Sequence, residues 1–322
     1  MPLKTTSASP GIEPLSRVTS LWLEPSSAIR AKAIEALQVS TGYSPSIINS
    51  AIQNVFEELT RDKLIAYVQA EKIQFRSKRD ATVLHIGAGN VFTSWLHGAV
   101  MTLLMGYRCW IKPSVQEPVF ARLWQQSVQV IDFELAGQIS IVSWNDDLLR
   151  QVNAVVAYGS DETLSVLRSK TAATTLFVGF GHKLSIAIAL NESTQIDQFK
   201  TWRARAVQDC ELFDLNGCLS PQVLYVEGAD PGPWKSLLEG VKHAPEIRPF
   251  TSLATIVSDL APFKDHLSAI GVAGPMSRLD AIRPQLEQLG TTRICELGQM
   301  QRPPLTWRNG GISLAEALAP LM

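Results

Sequence analysis

The stretch ATVLHIGAGNVFTSWLHGAVMTLLMGYRCWIKPS, residues 81–114, decides how this chain folds. ATVLHI is a short apolar run that ends in GAGN at 87–90, which reads as a strand entering a tight turn. VFTSWLHGAVMTLLMG (91–106) places apolar residues at helical spacing and stops at Gly106, so the spacing predicts a helix there. YRCWIKPS follows as a second strand, broken at Pro113 because proline cannot donate to a sheet ladder. Strand, turn, helix, strand is one crossover unit of a parallel sheet.

Outward from this stretch the alternation continues through EPVFARLWQQSVQVI, ISIVSW, DDLLRQV, AVVAYGS, DETLSVLRSK and TTLFVGFG. The reading is α/β: a Rossmann-type, doubly wound parallel sheet. Right-handed crossovers put the strand C-termini on one edge, where ligands bind. The residues to inspect are therefore GAGN (87–90), KPS (112–114), GSDE (159–162) and GFGHK (179–183).

Upstream, residues 25–75 read as amphipathic helices forming a packing layer, with Ser44 capping the helix that Pro45 begins. The leading MPLKTTSASPGIEP lacks the apolar core of a secretory signal and reads as a frayed lead-in. Downstream, a polar break, ESTQ, precedes the helical IDQFKTWRARAVQDCEL and the loop DLNGCLSPQ. A second alternating unit then fills roughly 220–298. Two domains are expected, with a boundary near residue 191: residues 1–190 hold the helical layer and nucleotide-binding domain, and 191–322 a second α/β, catalytic domain. The tail QRPPLTWRNGGISLAEALAP, rich in turn formers, is expected to pack back across the domains.

Composition narrows the function. A 46% hydrophobic, 18% charged chain of 322 residues with net charge -1 is globular and offers no surface for nucleic acid. No apolar run reaches the roughly 20 residues that span a bilayer, so a cytoplasmic location is expected. The four cysteines, at 109, 210, 218 and 295, form no CxxC pair, and the five histidines no HExxH, so no metal site is expected.

GAGNVF is not the dinucleotide fingerprint: Phe92 stands where the third glycine belongs, and no acid follows about 20 residues on. Asn90 either caps its own helix or, at the first helical turn, donates to a developing oxyanion. Gly159-Ser160 offers an anion seat at a helix start, against plain N-capping by Ser160; Asp161 and Glu162 suit the helix dipole but would repel a phosphate that they faced. Lys112 ends a strand and is either solvated or a ribose or phosphate ligand. Among the cysteines, Cys218 lies in a loop, NGCLSP, that exposes a side chain; Cys109 and Cys295 lie in apolar strands as inert core thiols, and Cys210 lies on a helix.

Taken in order, HIGAGNVF, GYRCWIKPS, VVAYGSDETL, GFGHKLSIAI and DLNGCLSPQVLYVE resemble the LuxC-like acyl-CoA reductases of the aldehyde dehydrogenase superfamily. The resemblance spans roughly 80–230, and more weakly the TRICELGQMQRPPL…NGG tail; the region before it looks shorter than in full-length members. It implies an aldehyde dehydrogenase-like fold and NADPH-dependent reduction of an acyl thioester, carried on coenzyme A or an acyl carrier protein, to the aldehyde. It implies Cys218 as nucleophile, Asn90 in the oxyanion hole, and Lys112 and Ser114 at the adenosine ribose. Gly159 and Ser160 would lie beneath the pyrophosphate, and a homo-oligomer is possible for such enzymes. His182 is a candidate for proton transfer, beside a structural role. Two departures stand out. Gly179 replaces the glutamate that activates water in hydrolytic relatives, and Val115 replaces an acid common in NAD-specific ones, which leans towards NADP. An acyl-phosphate reductase, and a cofactor-independent cysteine acyltransferase or thioesterase, are the alternatives.

Overall fold

A computed structural model describes residues 10–73, 80–145, 147–190, 196–228 and 230–321. The chain divides into two units, the first running through Gly181 with 304–306 and 312–322, the second covering 182–303 and 307–311.

In the first unit, helices α1 (Ile12–Leu23), α2 (Ala28–Thr41), α3 (Pro45–Glu57) and α4 (Arg61–Ala70) precede the sheet. There follow β1 (Thr82–Ile86), α5 (Leu96–Leu104), β2 (Arg108–Lys112), α6 (Val119–Ile131), α7 (Phe133–Ala136), β3 (Ile139–Ile141), β4 (Ala154–Tyr158), α8 (Asp161–Lys170) and β5 (Leu176–Phe180). The strands pair in the order β3-β2-β1-β4-β5, all parallel. The chain leaves β1 to one side and returns to β4 on the other, which makes the β1/β4 junction a topological switch point.

The helical layer is cemented by rings. Trp22 stacks on Phe56 at 5.0 Å, and both meet Phe120 of α6 edge-on, while Trp22 Nε1 donates to Ser127 Oγ at 2.9 Å. Such pairs add about 0.5–1.5 kcal/mol each beyond the area that they bury. Ser44 caps α3 by accepting from the Ile47 N–H, as its place before Pro45 predicts. The lead-in reading fails from Ile12 onward, because Pro14 falls in the first turn of α1, where a missing N–H costs nothing; residues 1–9 lie outside the described ones. The helix that Pro45 begins ends at Glu57, and a separate helix, α4, follows after residues 58–60.

The second unit holds β6 (Leu184–Ala189), α9 (Ile196–Glu211), β7 (Pro221–Glu227), α10 (Gly232–Leu237), β8 (Glu246–Phe250), α11 (Leu253–Leu260), β9 (Leu267–Ala273), α12 (Met276–Glu287) and β10 (Arg293–Glu296). Its sheet runs β10-β9-β6-β7-β8, again all parallel. β6 lies at the centre of this sheet, between β9 and β7, so a boundary near 191 comes too late and the division falls at 181/182. The polar break at 192–195 lies outside the described residues.

The tail returns to the first unit through α13 (Leu314–Leu318). Ser313 caps it and donates to Glu71 Oε2 at 2.6 Å, and the Leu305 N–H donates to Glu58 Oε2 at 3.1 Å. Between these segments, Trp307 Nε1 donates to Thr292 Oγ1 at 3.3 Å inside the second unit.

Candidate active site

The first unit gathers its candidate residues on the C-terminal edges of β2, β1 and β4. Gly87 extends the ladder, its N–H donating to Lys112 O at 3.1 Å. The helix expected from residue 91 begins only at Leu96. Two tight turns intervene, Ser94 N–H to Val91 O and Leu96 N–H to Thr93 O, and they bury Phe92 and Trp95 against Phe120. Asn90 is therefore not in a first helical turn. It is an exposed residue whose carbonyl accepts from Tyr43 Oη at 2.8 Å, so the helical layer pins its backbone.

Lys112 and Ser114 flank the same turn. A Cβ at Gly89 would lie 3.1 Å from Ser114 Oγ and 2.7 Å from Gln116 Oε1, so two polar side chains converge on a bare backbone. Lys112 is half-buried, and burial lowers its pKa. Val115 projects outward, 87% exposed. The nearby acid, Glu117, is buried instead: its Oε1 accepts from the N–H groups of Val119 and Phe120 at 2.7 and 2.8 Å, at the start of α6. Burial pushes the Glu117 pKa up, and those two N–H groups pull it back.

At β4, Ser160 takes the role of helix cap, its Oγ accepting from the Thr163 N–H at 3.2 Å. Asp161 Oδ1 crowds the space over Gly181, and Tyr158 stacks on Phe180 at 4.9 Å. Gly179 lies inside β5, paired with Ala157; a Cβ there would meet Phe177 Cε1 at 3.1 Å and Leu164 Cδ1 at 3.2 Å. Hydrocarbon fills the position where hydrolytic relatives are expected to carry a base.

The second unit places Cys218 differently, on the loop before β7, at the N-terminal edge of its sheet. Three consecutive non-glycine residues, Phe213, Asp214 and Leu215, adopt φ values of 58°, 51° and 60° and turn the chain out of α9 into this loop. Such left-handed residues cost of order 1–3 kcal/mol each and persist only where surrounding structure enforces them. Cys218 is exposed, whereas Cys109 and Cys210 are buried and Cys295 half-buried on the edge strand β10. The core placement expected for Cys295 thus holds only in part. Protein packed around the Cys218 thiol pushes it up to about 11, while its own backbone N–H and the Lys183 charge pull it down. Burial pushes Cys210 to about 12 and Cys295 to about 11, and raises Cys109 further.

Lys183 Nζ donates to Asp265 O at 2.9 Å at the entrance to β6. His182 is exposed just before it, and its carbonyl pairs with His266 Nδ1 at 3.3 Å. Beneath the loop, Asp209 is fully buried. Its carboxylate accepts from the N–H groups of Gly298 and Met300, and its carbonyl accepts from Gln301 Nε2, which also donates to Ser220 Oγ at 2.8 Å. Burial pushes the Asp209 carboxyl up to about 7, against those N–H groups and the Arg293 charge.

Sequence reading missed Gln116, Tyr43, Lys183 and the Asp209–Gln301 pair. Lys183 stood within the quoted GFGHK motif; the others carry no local signal, because their partners are distant in the chain. Among the described residues no group of three or more His, Cys, Asp or Glu side chains is arranged to hold a metal, and no helix is long and apolar enough to cross a membrane.

The fold is that of aldehyde dehydrogenases. Aldehyde dehydrogenase C from Pseudomonas syringae, solved with NAD+ and octanal, is similar at a TM-score of 0.67 and 10% identity, covering 90% of this chain and 77% of its own. An NADP-dependent enzyme of E. coli is similar at 0.62 and 11% identity, with 94% and 79% covered. A propionaldehyde dehydrogenase from a Clostridium phytofermentans microcompartment scores 0.57 at 11% identity, with 91% and 87% covered. No curated protein matches the sequence. The family model for acyl-CoA reductase (LuxC) matches residues 11–244, more than half of the chain and reaching back through the helical layer. This chain belongs to the acyl-CoA reductase (LuxC) family, an oxidoreductase family acting on acyl and aldehyde groups.

Proposed function

We propose that the protein reduces an acyl thioester, probed most simply as acyl-CoA, to the aldehyde with NADPH through an acyl-cysteine at Cys218. The observation that carries the reading is the exposure of Cys218 on a braced loop, while the other three thiols are buried or half-buried. The Cys218 thiolate attacks the thioester carbonyl carbon, and the bond from that carbon to the coenzyme A sulfur breaks, releasing coenzyme A as a thiolate. The Cys218 N–H is a donor for the tetrahedral oxyanion, and the family resemblance adds the Asn90 carboxamide as a candidate. A reduced nicotinamide, when bound, supplies hydride to the acyl carbon. The resulting thiohemiacetal collapses to aldehyde and frees the Cys218 thiolate, with His182 the candidate for moving the proton.

The turns at the switch point suit a dinucleotide. Gly89 leaves its backbone bare beneath Ser114 and Gln116, and Lys112 adds a positive charge beside them. Glu117 is committed to capping α6 and Val115 carries no charge, so no carboxylate from this loop opposes a 2′-phosphate, which favours NADPH. Gly179 supplies no base for water, so the acyl-enzyme should persist when no reductant is present; a placed base is worth about 10²–10⁴-fold.

Acyl-CoA mixed with the protein without NADPH should release about one equivalent of coenzyme A and then nearly stop, with the acyl group on the peptide that carries Cys218. Later NADPH should discharge it as aldehyde. With the thiol near 11, the burst rate should rise about tenfold per pH unit through the neutral range, because the thiolate is the nucleophile. Continuous coenzyme A release with free acid accumulating would replace this reading with a thioesterase.

A further inference from the structure

Ser185 occupies an unusual place in the second sheet. It is fully buried at the start of the central strand β6, where the register of β6 slips against both neighbours. Against β7 the shift falls between Ser185 and Ile186, and against β9 between Leu184 and Ile186. Such irregularities re-aim a side chain and leave a ladder position open. Here the Ser185 hydroxyl fills that opening. It donates to the Cys218 carbonyl at 2.7 Å and accepts from the Ala269 N–H of β9 at 3.1 Å. One buried hydroxyl thus joins the central strand, its neighbour and the cysteine loop.

The rest of the loop is held elsewhere. Ser220 is held by Gln301, which is tied in turn to the Asp209 carbonyl, and the Ser220 N–H closes a turn onto Gly217 O. The loop is entered through the left-handed run at 213–215, a conformation that relaxes unless contacts oppose it. At Cys218 itself the contact that opposes relaxation is the one from Ser185.

We propose that Ser185 is a positioning residue for Cys218: by gripping the Cys218 carbonyl it orients the peptide that carries the thiol and its backbone N–H. The role in acyl transfer rests on the reading of Cys218 as nucleophile; the effect on the thiol does not. Loosening the grip gives the exposed thiol more orientations from which to meet a small reagent. A small alkylating agent should then react faster, while acyl transfer, which needs the thiol and N–H in register with a carbonyl, should slow. Loss of fold would also raise labelling and slow acyl transfer, but it would open the buried Cys109 and Cys210 as well, so a change confined to Cys218 marks the loosened grip.

The test compares wild type with Ser185→Ala, Ser185→Thr and Ser268→Ala. Ser268 is an equally buried hydroxyl of the same sheet, without a hydrogen-bond partner for its Oγ among the described residues, and so controls for removal of a buried hydroxyl alone. Iodoacetamide labelling of Cys218, followed by mass spectrometry from pH 7 to 10, reads the thiol with Lys183 as the charge beside it. The coenzyme A burst from acyl-CoA reads acyl transfer. Ser185→Ala should raise labelling at pH 8 by about three- to tenfold and lower the burst rate by about 10–100-fold. Ser185→Thr, which keeps the hydroxyl, should move the burst back towards wild type, and Ser268→Ala should change neither rate by more than about twofold. Ser185→Ala with both rates within about twofold of wild type, or Ser268→Ala with the same split, overturns the proposal. A wild-type protein that gives no burst refutes the thioester reading instead, and labelling alone then decides whether Ser185 positions the thiol.

Discussion

The two units are built from the same part, a five-stranded all-parallel sheet, and use opposite edges of it. The first offers the turns that follow β1, β2 and β4, at the strand C-termini. The second offers the loop that precedes β7, at the strand N-termini. The topological rule for ligands in open parallel sheets locates the first set and would have missed the second. What distinguishes the cysteine loop is not its edge but its bracing: a strained entry at 213–215, Ser185 on the Cys218 carbonyl and Gln301 on Ser220. A dinucleotide needs bare backbone at a switch point, whereas a nucleophile needs one side chain held still.

Removing the proposed nucleophile is the strongest way to break this contrast. Cys218→Ser should lower reductase turnover by roughly 10⁴-fold or more, as loss of a covalent nucleophile does. Cys109→Ser should keep turnover but lose about 1–3 kcal/mol of stability, since it sets a hydroxyl in an apolar strand. Steady-state rates and urea midpoints separate the two, and near-normal turnover in Cys218→Ser would remove the site from the second unit.

Acidity distinguishes the units as well. His85 is fully buried in β1, with Nε2 against Thr102 Oγ1 at 2.9 Å, and burial lowers its pKa from 6.5 to about 3. The unfolded chain takes up this proton below 6.5 and the folded chain only near 3, so His85 costs stability as pH falls through that window. Asp209 runs the other way: its pKa rises from 3.8 to about 7, so it costs stability as pH rises from 3.8 to 7. Each effect is on the order of 4–5 kcal/mol over its full window. Urea titrations across pH 4–8 should show His85→Gln losing less stability on acidification than wild type, and Asp209→Asn losing more. Parallel curves for all three proteins would show that neither group governs its unit.

Cofactor preference sharpens the reading of the first edge. Val115→Glu should shift the ratio of kcat/KM towards NADH by about 1–3 kcal/mol, the usual strength of a charged contact. An unchanged ratio would detach Val115 from the ribose. The smallest effect is expected at Ser160, which caps α8; Ser160→Ala should cost about 1 kcal/mol in a thermal melt. If it also raises the KM for NADPH more than tenfold, the turn contacts the pyrophosphate and does more than cap.

The alternation at 81–180, the Ser44 cap and the exceptional cysteine at 218 were legible from local pattern alone, because strand length, helical spacing and turn residues are properties of neighbouring residues. The helix start at Leu96, the split between α3 and α4, and the true place of β6 were not. Each depends on a partner far along the chain: Phe120 for Phe92 and Trp95, and β9 and β7 for β6.

By itself the sequence determined the fold class, the two alternating units and which cysteine to examine. Tertiary structure decided which edge of each sheet carries the candidate residues, that Glu117 turns inward while Val115 projects outward, and that Ser185, Gln301 and Asp209 brace a loop from as far as 81 residues away in the chain. The physical reason is range. Propensity and periodicity act over a few residues, whereas a buried hydroxyl or carboxylate must find its hydrogen-bond partner wherever the folded chain brings one within reach.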